Sequence, residues 1–178
     1  MRRYLVNCLI SGAASGVLSH FAAALASRIE NRNADLAIHA VSHIAWGDDP
    51  KSHTGEHPHN AVIGAALHHG ACVFWATFFE AFFGKQAERS TAAALVGGAT
   101  IATAAYVIDY HVVSERFEPG FEAHLSNRSL FAVYAALALG FAGAARLRGL
   151  CRHQIKNDEE SDKRRNPQRR PDAVVTPE

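Results

Sequence analysis

His20, His68, His69 and Asp109 each fall within or at the edge of a long uncharged run, and histidine is the conspicuous residue of the chain, eleven in 178. A neutral imidazole can ligate zinc, copper or iron and can also carry a proton near neutral pH; a carboxylate can do either job through oxygen. Polar groups set inside an apolar segment are costly, which makes them functional candidates by default. His39 and His43 are four residues apart, so a helix would place both on one face with a workable two-ligand geometry. His111 follows Asp109 by two residues. The tract from His53 to His59 holds three histidines and reads either as a weak metal trap or as a solvated loop. The candidate ligand set is therefore His20, His43, His69 and Asp109, with His39, His68 and His111 in reserve.

The elements that must position these residues are read from hydropathy. Tyr4–Ser27 runs twenty-four residues without a formal charge, Ala61–Phe79 nineteen and Ser90–Ile108 nineteen. A bilayer core of about 30 Å takes about twenty residues of helix. With Ser129–Ala145, extended by the snorkelling stems of Arg146 and Arg148, the spacing predicts four spans at about 4–27, 61–83, 90–113 and 129–146. Ala24-Leu25-Ala26 behind a basic start is the competing reading of the first run as a cleaved signal peptide, although the run exceeds the usual 7–15 apolar residues. Residues 34–46 form a brief amphipathic pattern, a short helix suited to the membrane interface with Trp46 at headgroup level.

Gly12 and Gly16 form a GxxxG that turns this side of the first helix toward protein and carries His20 inward. In the second span Ile63, Leu67, Phe74 and Phe78 share a bulky lipid face, while Ala65, Ala66, His69, Ala76 and Glu80 gather opposite, so His69 is expected inside and His68 with Cys72 on the flank. Gly98, Ala102, Ala105 and Asp109 line one face of the third span. From Leu147 the chain is densely charged, with five basic residues among Lys163–Arg170, and is expected to be disordered. The fold expectation is an all-α, integral membrane four-helix bundle over residues 1–146, with a short interfacial helix and a disordered, basic cytoplasmic tail over 147–178.

Charge orients it. With both termini inside, the inner segments carry thirteen basic residues and the outer segments five, nine of the inner ones at or beyond Arg146, in agreement with the positive-inside rule. The tail is then an anchor for anionic lipid rather than a nucleic-acid patch. In this orientation His20, His68 and His69 lie about 10 Å deep and Asp109 about 6 Å deep, all in the outer leaflet. A layer of inward groups from several helices can hold a metal ion, relay protons or a solute, or simply fix helix packing in an assembly subunit with a membrane protein partner. Membrane-embedded, metal-dependent hydrolysis is a third possibility. No Walker loop, nucleophile elbow or dinucleotide fingerprint is present, so soluble-enzyme chemistry has no support in the sequence, and an enzyme is the lesser expectation. Three cysteines without CxxC spacing suggest neither a disulfide framework nor a thiolate zinc site.

Ser42-His43-Ile44-Ala45-Trp46-Gly47-Asp48, His68-His69 with Phe74-Trp75-Ala76, and Val107-Ile108-Asp109-Tyr110-His111 with Arg116-Phe117-Glu118-Pro119-Gly120-Phe121-Glu122 resemble segments of a group of small bacterial multi-pass membrane proteins. The resemblance covers roughly Tyr4–Gly143. It implies a bacterial inner-membrane location and four helices, and no activity.

Overall fold

Four runs of apolar residues long enough to hide their backbone in helices dominate the structure, a computed structural model that describes residues 1–46, 58–114 and 118–165. The helices are α1 (Arg2–Asn31), α2 (Leu36–Val41), α3 (His43–Trp46), α4 (Pro58–Phe82), α5 (Gly84–Arg89), α6 (Thr91–His111) and α7 (Asn127–Arg165), with one 3-10 turn at Phe121–Ala123. No strand occurs among the described residues. Four of the helices are long and apolar enough to cross a membrane: α1, α4 from Asn60, α6 and α7, of 30, 23, 21 and 39 residues.

α1 packs against both α4 and α7, and α6 packs mainly against α7 and also touches α4. α1 can do this because its buried face is made largely of small residues, among them Ser11, Gly12, Ser15, Gly16, Ser19 and Ala23, which bring backbones close enough for extensive dispersion contact. A Cβ on Gly12 would come within 2.6 Å of the Val73 backbone in α4, and one on Gly140 of α7 would collide with the Ser15 backbone. Bulky side chains fill the remaining space in two layers. Trp75, Phe79, Ile101, Leu137 and Phe141 form one, with Phe79 and Phe141 stacked at 5.3 Å. Ala23, Ile38, Val41, Phe121, Leu130 and Val133 form the other, at the end where the long connections lie.

Three expectations change. The single interfacial helix at 34–46 is two short helices broken at Ser42, and Ala37, Ile38 and Val41 are buried. Gly64 of α4 admits this packing: a Cβ there would strike the Ile38 carbonyl oxygen. The charged segment expected to be disordered from Leu147 continues α7 without a break to Arg165. Its residues are mostly good helix formers, and side-chain bonds one turn apart support it, Arg164 to Glu160 at 2.7 Å and Ser161 to the Asn157 carbonyl at 2.8 Å. Within α4 the buried positions are Asn60, Gly64, His68, Cys72, Trp75, Ala76, Phe79 and Glu80: Ala76 and Glu80 lie inward as expected, while in the first half of the helix the inner face is turned about one residue, from Ala65 and His69 to Gly64 and His68. Phe74 and Phe78 do point outward, and Gly98, Ala102 and Ala105 do line the inner face of α6.

Candidate functional site

The small-residue face of α1 and the turned face of α4 bring three imidazoles together near the loop end. Ring centroids are 5.5 Å apart for His68 and His69, 5.7 Å for His20 and His69, and 6.0 Å for His20 and His68. Gly16 makes the room: a Cβ there would sit 2.9 Å from the His69 ring. His69 donates from Nδ1 to the Ala65 carbonyl at 2.9 Å, the helical back-bond that leaves its Nε2 as an acceptor. His20 is half-buried, and its Nδ1 is shielded with no hydrogen-bond partner.

His68 is the deepest of the three, 9% exposed. Its Nε2 lies 3.0 Å from Ser19 Oγ and 3.8 Å from Cys72 Sγ. Ser19 Oγ also donates to the Ser15 carbonyl at 2.7 Å, one turn back, so a proton from Nε2–H of His68 would complete its bonding. His68 and Ser19 form part of the wall of a cavity of about 250 Å³ that also touches Cys72, Asp109 and Tyr134. Tyr134 of α7 donates to Asp109 at 2.8 Å. The cavity therefore has imidazole and hydroxyl groups from α1 and α4 on one part of its wall and a carboxylate–phenol pair from α6 and α7 on another.

The remaining candidates sit elsewhere. His43 bonds the Ala40 carbonyl through Nδ1 at 2.6 Å and faces Gly120, whose φ of 78° belongs to the tight turn before Phe121. His111 is exposed at the end of α6 against the Tyr106 ring. His39 is half-buried on α2. The tract around His53 and His57 lies outside the described residues. Among the described residues no three His, Cys, Asp or Glu side chains are arranged to hold a metal ion; the proposed set of His20, His43, His69 and Asp109 does not come together as a ligand sphere.

A second polar group occupies the opposite end. Glu80, 7% exposed, accepts from Ser11 at 2.6 Å and from Arg148 at 2.5 Å. Arg148 also bonds Ser11 at 2.8 Å and approaches Glu88 at 3.6 Å, while Glu88 is paired with Arg152 and lies 3.5 Å from Arg3. α1, α4, α5 and α7 are tied by one ionic knot, which the expectation of a snorkelling Arg148 did not anticipate. The overlooked residues, Ser11, Ser15 and Ser19, were written in the sequence as serines at four-residue spacing. Tyr134 had no such signal, because its partner comes from α6.

No protein-family model fits the chain, and neither a curated protein nor a solved structure is significantly similar to it.

Proposed function

We propose that this is an integral protein of the bacterial inner membrane, a four-helix bundle with both termini in the cytoplasm, that relays protons through a mainly apolar cavity in the outer leaflet whose wall carries Ser19, His68, Asp109 and Tyr134. One observation carries the reading: His68, hydrogen-bonded to Ser19, shares a cavity wall with the Asp109–Tyr134 pair. Groups that can each give and take a proton thus border a space large enough for several waters. Ionisable residues at such depth face the protein interior and serve proton or ion pathways in membrane proteins. The excess of basic residues on the inner segments and the basic end of α7 support the orientation.

The test is proton flux into proteoliposomes loaded with a pH-sensitive dye. Asp109→Asn and His68→Ala are expected to lower the flux at least about tenfold while the protein stays folded; flux equal to the parent's in both variants rejects the relay.

A transition metal (zinc, copper or iron) is the second reading, suggested by three rings 5.5–6.0 Å apart; because the side chains are not arranged as a three-ligand sphere, binding would require the rings of His20, His68 and His69 to turn. Metal analysis of the detergent-purified protein, with and without His69→Ala, decides it: a stoichiometry near zero in the parent removes this reading.

A further inference from the structure

We infer that the groove between α6 and α7 is a binding site for one acyl chain of an outer-leaflet phospholipid; the inference rests on the spanning reading of these two helices. The groove encloses about 720 Å³. Its floor is made of the small residues Ala102, Ala135 and Ala138, and its rim of Leu95, Phe131 and Leu139, of which Phe131 is 76% exposed. Large apolar side chains standing around an alanine floor leave a channel rather than a flat face.

Two features choose the occupant. The first is length: Leu95 to Tyr106 on α6 and Asn127 to Leu139 on α7 correspond to about 16–18 Å of helix, about the hydrocarbon depth of one leaflet. The second is a polarity gradient. Toward the inner end the walls are alanine and leucine, whereas the outer end carries the amide of Asn127 and the rings of Tyr106 and Tyr134; Arg128, the residue after Asn127 in α7, is exposed beside it. Lipid tails are no less apolar than leucine, so the chain is retained by shape and by head contacts at the mouth rather than by hydrophobic transfer. A molecule with one long tail and a polar, anionic head fits such a channel.

The site also touches the relay. Tyr134 lines both this groove and the inner cavity, and its hydroxyl is spent on Asp109. An acyl chain against the Tyr134 ring would seal that wall and hold the phenol in place.

The experiment uses the full chain in nanodiscs containing phosphatidylglycerol with a photoactivatable group on its acyl chain, followed by peptide mapping after illumination. In the parent, adducts are expected to concentrate on 95–106 and 127–139. Thr103→Trp and Ala135→Trp, which fill the channel from either side, are expected to lower these adducts at least fivefold and to leave those on the exposed α1 face around Leu9 and Val17 unchanged. Adducts spread evenly over all exposed apolar faces overturn the inference, as does a chain-to-chain dimer cross-link through α6 and α7, which would put a second copy in the groove. Alkaline carbonate extraction separates the two layers of the argument: release of the protein from membranes defeats the spanning reading, while retention without groove adducts defeats the lipid site alone.

Discussion

Ser19 and His68 show how much chemistry depends on one side chain's neighbours. Ser19 Oγ keeps its bond to the Ser15 carbonyl whether or not His68 is present, so His68→Ala removes a bridge without orphaning the hydroxyl. The expected outcome is a modest loss of thermal stability in detergent, about 1–3 kcal/mol from the cavity left behind, with a far larger fall in proton flux. A substitution at Gly16 acts the other way. Gly16→Val places side-chain carbon where the His69 ring stands, and overpacking of this kind costs about 1–3 kcal/mol; a melting temperature unchanged from the parent would contradict the packing described. The histidines were conspicuous in the sequence, yet helical periodicity put His69 inside and His68 on the flank. What turned the helix was Gly64 under the Ile38 carbonyl, a contact with α2 that α4's own pattern does not contain. Ser19 was marked only by its four-residue spacing from Ser15 and Ser11, because serine in an alanine-rich helix is neutral to any hydropathy measure.

At the scale of elements, the ionic knot does what the apolar layers cannot: it fixes α4, α5 and α7 in register at the end away from the histidines. Side chains of Glu80 and Arg148 are only 2% and 10% exposed, so neither charge has water to fall back on. Arg148→Met leaves the Glu80 carboxylate buried with Ser11 as its remaining close donor, and breaking a buried pair in this way costs about 3–5 kcal/mol. The double variant Glu80→Gln with Arg148→Met is expected to regain much of that, since replacing both charges removes the desolvation penalty. Denaturation midpoints of the four proteins in one detergent make the double-mutant cycle; equal loss in the single and double variants sinks the claim of coupling. Glu30 does a related job at the other end, accepting from the Ser126 backbone at 2.8 Å and from the Ser129 hydroxyl at 2.5 Å, and so joins α1 to the start of α7. The inward face of Glu80 was legible from its period with Ala76. Its partner was not, because Arg148 looks like a headgroup anchor until α7 is known to continue as a helix and present it to α4.

For the whole molecule, the length of α7 sets the geometry. Its 39 residues make about 58 Å of helix, roughly twice the hydrocarbon thickness, so a large part of it must stand clear of any bilayer that α6 just spans. Hydropathy made the four apolar helices plain, since each must satisfy its own backbone. The helical continuation was hidden by charge density, which usually signals disorder but here includes pairs one turn apart. The cysteines provide a direct measure of orientation. Cys8 and Cys72 are buried and Cys151, on the projecting part of α7, is exposed. A membrane-impermeant maleimide is therefore expected to label Cys151 in inverted vesicles and to leave intact cells unlabelled, with Cys151→Ser abolishing the signal and Cys8 and Cys72 reacting only after denaturation. Labelling of Cys151 from the outside of intact cells would reverse the orientation. The histidine cavity would then lie in the inner leaflet, on the cytoplasmic side of the bilayer.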